Sequence, residues 1–183
     1  MPLAPNPYNN SGGGKKETED FCPIYNHHSI MTPTPSQTTT PPLTRELTHA
    51  EFPLVKEVWY HYHQQEANPA EDRVFGTFVN GTLVAVARCR LHPDGHEVDG
   101  VFTLDEFRGH GLARLVVQAL INACGHEVLY MHSTLQLISF YKTFGFFPIP
   151  EDQLPTIIRE RFLFCFGEMA GCNVCPMRRE ATL

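Results

Sequence analysis

The spacing of apolar residues changes along the chain, and each change marks a predicted element. Residues 43–47 alternate between apolar and polar side chains, which is typical of a half-buried strand. Thr48 is a suitable N-cap for a following helix that contains Phe52, Val55, Val58 and Trp59. Residues 60–63, with the sequence Tyr-His-Tyr-His, end this helix.

A predicted hairpin and a further strand come next. Residues 73–79 and 82–88 flank Asn80-Gly81, the two-residue sequence that most strongly favours a hairpin turn. A second turn at residues 92–95 leads into a strand over 96–104. This strand is followed by a glycine-containing turn and by a helix that reaches Cys124, with Gly125 as its C-terminal cap.

The remaining pattern predicts two more strands and two more helices. Residues 126–132 and 146–149 favour strands, and residues 135–143 favour a helix that Gly145 closes. Residues 154–166 favour a helix, which either covers a groove as a lid or is buried against the sheet. The order of elements predicts an α/β (α+β) domain in which helices flank a central sheet.

Composition divides the chain into a domain and two tails. Of the 183 residues, 42% are hydrophobic, which is enough for one substantial core. Residues 1–42 are rich in Pro, Thr and Gly and are predicted to be a flexible tail. The folded domain is predicted over residues 43–175, with a short C-terminal tail over 176–183. Within the first tail, residues 21–28 could pack on the domain or bind a partner, but Cys22, His27 and His28 do not make a closed metal site.

Charge and cysteine content exclude several classes of function. The net charge of −6 argues against a nucleic-acid-binding protein, and no apolar run is long enough for a membrane span. The N-terminus lacks the pattern of a secretory signal, so we expect a cytoplasmic protein. The six scattered cysteines do not favour a disulfide framework. Cys172 and Cys175 have CxxC spacing, and a metal-binding or redox role for them is an alternative.

The turn before the central helix has the chemistry of a phosphate site. Gly109 and Gly111 permit positive φ, and the first N–H groups of the helix point into the adjacent space. Arg108 and His110 add charge and donors. The pattern matches neither the P-loop, because no Lys-Ser/Thr follows, nor the dinucleotide fingerprint, because a third glycine is absent.

Two motifs resemble a known family. Arg108-x-x-Gly111-x-Ala113 is similar to the Arg/Gln-x-x-Gly-x-Gly/Ala loop with which GCN5-related N-acetyltransferases (GNAT) hold the pyrophosphate of acetyl-CoA. Residues 139–146, Ser-Phe-Tyr-Lys-Thr-Phe-Gly-Phe, resemble the second hallmark, a helix that ends in Tyr before a Gly-Phe turn. The resemblance implies the GNAT fold with a mixed, mostly antiparallel sheet, and acetyl-CoA as co-substrate. It also implies direct acetyl transfer to a primary amine of a small molecule, peptide or protein, and a possible homodimer.

The resemblance also implies roles for individual residues. The implied cofactor-binding residues are Val101, Phe102, Thr103, Arg108, Gly109, His110, Gly111, Leu112, Ala113 and Thr134. Tyr141 is the implied acid for the CoA sulfur. The general base is Glu97, Asp99 or His132, and strand alternation places Glu97 and Asp99 on the same face as Val101 and Thr103. Thr134 and Leu137 depart from the Asn and Ala that the family often has.

Two other functions remain open from the sequence. The domain could bind acyl-CoA as a sensor or interaction module without turnover. It could instead be a metal-binding module through Cys172 and Cys175.

Overall fold

The computed structural model of this protein describes residues 40–60, 62, 65–167 and 173–182. The strands are β1 (Leu43–Glu46), β2 (Asp72–Val79), β3 (Thr82–His92), β4 (Gly95–Thr103), β5 (Leu129–Thr134), β6 (Phe146–Pro148) and β7 (Val174–Arg179). The helices are α1 (Phe52–Tyr60), α2 (Leu112–Cys124), α3 (Ile138–Lys142) and α4 (Thr156–Gly167). The segment of residues 21–28, with Cys22, His27 and His28, lies outside the described residues, and so do His61, His63 and Cys172.

The strands form one sheet in the order β1-β2-β3-β4-β5-β7-β6. Every neighbouring pair is antiparallel except β4 and β5, which run parallel. The predicted mixed, mostly antiparallel sheet with flanking helices is therefore confirmed. In the described part of the chain, no helix combines the length and the apolar character needed to cross a membrane.

Local sequence explains the first elements. The backbone N–H and the hydroxyl of Thr48 both donate to the carboxylate of Glu51, each over 2.9 Å, and so begin the helical segment before α1. Asn80 and Gly81 adopt positive φ angles of 50° and 81°, as the tight turn between β2 and β3 requires.

Helices cover both faces of the sheet. The apolar face of α2, which includes Val116, Val117 and Leu120, is buried against one face, and α1 packs Val55 and Trp59 against the other. Burial on both sides explains why the middle of β3 is a continuous apolar run rather than an alternating one. β4, the central strand, is thus packed between α1 and α2.

A β-bulge interrupts β4. Phe102 pairs with Val86 and Asp99 pairs with Arg88, so β4 has one residue more than β3 between these pairs. Val101 consequently packs with the α2 core, and Phe102 packs with the α1 core. Strict alternation predicted that Glu97 and Asp99 lie on the same face of β4 as Val101 and Thr103. The bulge shows that this prediction is wrong. Gly100 lies inside this strand, and a glycine inside a strand often marks a bulge.

The sheet continues beyond the domain boundary expected at Cys175. β7 begins at Val174 and lies between β5 and β6, so the residues expected to form a C-terminal tail include an interior strand. Ahead of β7, α4 buries Ile158 and Phe162 next to Leu154, against Tyr130 and other residues of the sheet. The buried alternative for α4 is thus what the structure shows for this face of the helix.

Candidate active site

The site begins where β4 and β5 separate. Only residues 96–98 of β4 pair with β5, whereas β4 continues to Thr103 and β5 continues to Thr134. The separation opens a cavity of about 1310 Å³. This volume exceeds the roughly 300–1,000 Å³ of most small-ligand pockets. The cavity therefore has room for two reactants.

The glycine-containing turn lies at one end of this cavity. Gly109 and Gly111 have φ angles of 80° and 76°, and a Cβ atom at either position would meet no atom within 4 Å. The space beside the turn is open to a ligand, and the N-terminus of α2 begins at Leu112 next to it. This open cradle fits the diphosphate of CoA.

Arg108 and His110 are both exposed at the turn. Arg108 Nε donates to the carbonyl oxygen of Thr103 over 3.2 Å, and its Nη2 lies 2.9 Å from a carboxylate oxygen of Asp105. The guanidinium of Arg108 also lies over the ring of Phe102. His110 Nδ1 is 3.3 Å from the carbonyl oxygen of Phe107. Both side chains border solvent, where an arriving phosphate would meet them.

The other predicted cofactor-binding residues lie along the same opening, but in different environments. Phe102, Thr103, Ala113 and Thr134 line the cavity, and so does Val101. Leu112 is buried in the α2 core, so only its backbone is available to a ligand. The hydroxyl of Thr103 is buried without a hydrogen-bond partner among the described residues.

Tyr141 lies on α3 and also lines the cavity. Its ring packs edge-on against Phe140 and Phe146. Burial, with a smaller contribution from Tyr62, raises the pKa of the Tyr141 hydroxyl well above its ordinary value. The phenol therefore stays protonated at neutral pH and can donate a proton or a hydrogen bond.

Glu97 is the most enclosed carboxylate of the site. Its side chain is only 1% exposed, and Nε2 of His92 and Nε of Arg161 lie 2.8 and 2.7 Å from one of its oxygens. Nδ1 of His132 is 3.6 Å from the other oxygen. Burial raises the pKa of Glu97, but the hydrogen bond with His92 and the charges of Arg161 and His132 outweigh it, so the pKa is lowered.

Asp99 is held by two arginines. Arg88 Nε and Nη2 each donate to a different oxygen of Asp99 over 2.6 Å, and Nη2 of Arg161 donates over 3.0 Å. Arg88 is itself stacked over the ring of Trp59 and lies 3.4 Å from Asp72. Asp72 also pairs with Arg90. A continuous network of charged side chains thus lies below one part of the cavity.

His132 differs from the two carboxylates in its charge. Burial lowers its pKa against the opposing effect of Glu97, so the imidazole is neutral at neutral pH. Its Nε2 atom is buried without a hydrogen-bond partner in the described part of the chain. A neutral imidazole beside a carboxylate can accept a proton, and the resulting cation would be stabilised by Glu97.

The structure brings the three predicted base candidates together, and it adds partners that sequence reasoning missed. Arg88, His92 and Arg161 all contact Glu97 or Asp99. The sequence offered one indication of Arg88, since an arginine ends the apolar run of β3. The sequence offered no indication of Arg161, because its partners are more than 60 residues away.

The cysteine motif stays a prediction. Cys175 is partly buried on β7, and Cys172 lies outside the described residues. Among the residues that the structure does describe, no group of three or more His, Cys, Asp or Glu side chains could hold a metal ion.

Several solved structures have the same fold. Neisseria gonorrhoeae N-acetylglutamate synthase, in complex with coenzyme A and N-acetyl-glutamate, has a TM-score of 0.59 at 16% identity, over 78% of this chain and 35% of the synthase. Escherichia coli ribosomal-protein-S18-alanine N-acetyltransferase has a TM-score of 0.57 at 14% identity, over 78% and 95% of the chains. Arabidopsis thaliana Naa50, with the bisubstrate analogue CoA-Ac-MVNAL, has a TM-score of 0.55 at 14% identity, over 76% and 98%.

The synthase is much longer than the matched region, and this chain covers about a third of its length. At these identities the likeness shows the fold alone. No curated protein sequence matches the chain significantly.

Family membership rests on the sequence. The profile of the Acetyltransferase (GNAT) family matches residues 40–146, more than half of the chain, and includes β4, the glycine-containing turn and Tyr141. Together with the fold and the cavity between β4 and β5, this match confirms that the chain belongs to the GNAT acetyltransferase family and is an acyltransferase.

Proposed function

We propose that this protein transfers the acetyl group of acetyl-CoA directly to a primary amine. The observation that carries the proposal is the separation of β4 from β5 beside the open turn at Gly109 and Gly111. Backbone groups of β4 that have lost their strand partner can bind an amide-containing arm, while the turn binds phosphate. The neighbours that bind CoA support the same arrangement.

In this proposal the cofactor spans the cavity from the turn to Tyr141. Arg108, His110 and the N–H groups from Gly109 to Ala113 bind the pyrophosphate. Val101, Phe102 and Thr103 offer backbone groups to the pantetheine arm, and Thr134 offers a hydroxyl from the opposite side. The bound thioester supplies an activated acetyl group, which an N–H of β4 polarises.

The reaction requires two proton transfers, and the site has groups for both. The amine nitrogen bonds to the acetyl carbon, and the carbon–sulfur bond breaks with its electron pair moving to sulfur. Tyr141 donates a proton to that sulfur. Neutral His132 takes the proton that the amine loses, and Glu97 stabilises the imidazolium; Glu97 and Asp99, held by guanidinium groups, position the acceptor.

The partner class follows the same reasoning. The neighbours crystallised with N-acetyl-glutamate or with a peptide analogue indicate that this fold accepts amines of amino acids and of peptides. We therefore propose a small-molecule or peptide amine as acceptor. The homodimer and the cytoplasmic location stay predictions.

A thermal-shift titration with acetyl-CoA and CoA tests the cofactor site. We expect a saturable rise in the melting temperature of the wild type, because a ligand at a hundredfold excess over its Kd adds about 2.7 kcal/mol to stability. Arg108→Ala should shift the titration to higher concentration. Arg159→Ala is the matched control, since Arg159 pairs with Glu151 on the surface away from the turn. No shift at millimolar acetyl-CoA would refute the proposal.

A second measurement separates transfer from binding alone. Thiol release with a panel of amines should exceed release without amine. Binding without amine-dependent release would favour the acyl-CoA sensor over the enzyme.

A further inference from the structure

We infer that the acceptor carries a carboxylate close to its amine, as a free amino acid does, and that Arg161 binds this carboxylate. The inference rests on the proposed function and names the substrate class of the same site. Its starting point is the position of Arg161, which reaches from α4 to the carboxylates of β4 that border the cavity.

The charged network at this position is balanced. Three carboxylates, those of Asp72, Glu97 and Asp99, are paired with three guanidinium groups, those of Arg88, Arg90 and Arg161. Neutral His132 adds no net charge to this count. Since buried charge is stable only when it is paired, an acceptor that enters the network has to preserve this balance.

The members of the network differ in their freedom to move. The side chain of Arg88 is 2% exposed and that of Arg90 is 16% exposed, whereas 37% of Arg161 is exposed. Arg161 also comes from a helix, not from the sheet that carries the carboxylates. It is therefore the guanidinium that can turn away from Glu97 and Asp99 into the cavity.

An acceptor ammonium has the same charge as Arg161 and competes with it for Glu97 and Asp99. A simple cationic amine would displace Arg161 and leave its guanidinium without an anion. An aminocarboxylate makes an exchange: its ammonium pairs with Glu97 or Asp99, and its carboxylate pairs with the released Arg161. The ammonium gives one proton to solvent before transfer, and the neutral amine that attacks the thioester then loses its second proton to His132. The planar guanidinium binds a carboxylate through two parallel hydrogen bonds, which makes this exchange favourable.

The exchange also predicts which amines are poor acceptors. The α-amide of an amino acid keeps the amine and the side chain but lacks the anion, so it leaves Arg161 unpaired. Charge-assisted hydrogen bonds of this kind correspond to about a ten- to hundredfold difference in binding. We expect kcat/KM to be at least tenfold higher for the acid than for its amide, with most of the difference in KM.

The first test uses the wild-type protein, acetyl-CoA, and free L-amino acids paired with their α-amides as acceptors. Higher kcat/KM for the acids supports the inference. Equal or better turnover of the amides overturns it, and so does turnover confined to amines without a carboxylate. The acetyl-CoA titration is read separately, so a protein that binds no acetyl-CoA refutes the proposed function, whereas one that binds it but acetylates neither member of any pair overturns only this inference.

Two variants then test whether Arg161 is responsible for the preference for the acid over the amide. Arg161→Gln should remove the preference for the acid, and Arg161→Lys should retain the fold and the charge but keep only part of the preference, because an ammonium cannot bind a carboxylate through the guanidinium fork. Arg159→Gln removes the same charge two residues earlier on α4 and should leave the preference intact. A preference that Arg161→Lys and Arg161→Gln both retain at the wild-type ratio overturns the role of Arg161.

Discussion

At the scale of single residues, Tyr141 packs its ring against aromatic side chains and lines the cavity. Its ring lies among Phe140 and Phe146, and no hydrogen bond to its hydroxyl is found among the described residues. Burial raises its pKa, so the hydroxyl remains a donor across the range in which an amine acceptor is deprotonated. A protonated phenol that lines the cavity is suited to the role proposed for Tyr141, that of the acid for the CoA sulfur.

The change Tyr141→Phe should therefore reduce acetyl transfer and leave cofactor binding nearly unchanged. A lost general acid lowers the rate by about a hundredfold or more. Steady-state kinetics and an acetyl-CoA titration on the same preparation measure both effects. Tyr130→Phe is the control, because Tyr130 packs against the α4 cluster and does not line the cavity. Full turnover in Tyr141→Phe would show that another group protonates the sulfur.

The sequence could predict candidate site residues but not the ion pairs around them. Arg108, Gly111 and Tyr141 belong to short motifs, so each is recognisable from its neighbours in the chain. Arg88 and Arg161 both donate hydrogen bonds to Asp99, at sequence separations of 11 and 62 residues. Long-range ion pairs leave no local pattern, and only the fold shows that they meet.

At the scale of elements, the bulge in β4 depends on one residue. Gly100 has a φ angle of 58°, and a Cβ atom there would lie 2.5 Å from a ring carbon of Trp59. The indole N–H of Trp59 donates to the Gly100 carbonyl over 2.8 Å. This hydrogen bond therefore links α1 to β4 at the bulge. After the bulge, the order in which successive side chains alternate between the two faces of the sheet is reversed.

Gly100→Ala should destabilise the protein strongly. Strain at positive φ costs about 1–3 kcal/mol, and the clash with Trp59 adds about 1–3 kcal/mol more. Gly81→Ala is a matched control, since Gly81 has a φ angle of 81° but no atom within 4 Å of the Cβ position. Urea unfolding of both variants gives the difference. Equal losses at the two sites would mean that Trp59 moves aside and that the contact does not fix the bulge.

At the scale of the whole molecule, the sheet is completed from the end of the chain. β7 pairs with β5 on one side and with β6 on the other, and its Met177 is fully buried. Arg179 on the same strand donates to the carbonyl oxygens of Phe144 and Gly125. The last strand thus joins α2, α3 and the sheet.

Truncation should show how much of the fold depends on this strand. A chain that ends at residue 173 lacks β7, and we expect it not to fold, because β6 then has no partner and β5 has an open edge. A chain that ends at residue 180 loses, among the hydrogen bonds of the described residues, those of Thr182 with Gly125 and Arg179, and it should melt a few degrees lower at most. Circular dichroism and thermal melts compare the two. A cooperative melt in the shorter chain would contradict this role of β7.

The sequence did not predict β7, and this failure has a physical reason. Its residues, Val-Cys-Pro-Met-Arg-Arg, contain a proline and two charged side chains, which argue against an interior strand. The proline is tolerated because its carbonyl faces the β6 side, where it accepts a hydrogen bond from Ile149, so the N–H that proline lacks would face the same side, past the end of β6 at Pro148, and the pairing with β5 loses no hydrogen bond. Arg179 is tolerated because backbone carbonyls satisfy its donors. Both compensations come from distant segments and leave no trace in the local sequence.

The short parallel pairing of β4 with β5 has a mechanical consequence. The sheet consists of two parts, one that ends at β4 and one that begins at β5, and only three residue pairs between β4 and β5 join them. Two further side chains link these parts: Arg161 of α4 contacts Glu97 and Asp99 of β4, and His132 of β5 lies beside Glu97. In the proposed exchange, an acceptor that displaces Arg161 removes one of these links, so acceptor binding would also change how firmly the two parts of the sheet are joined.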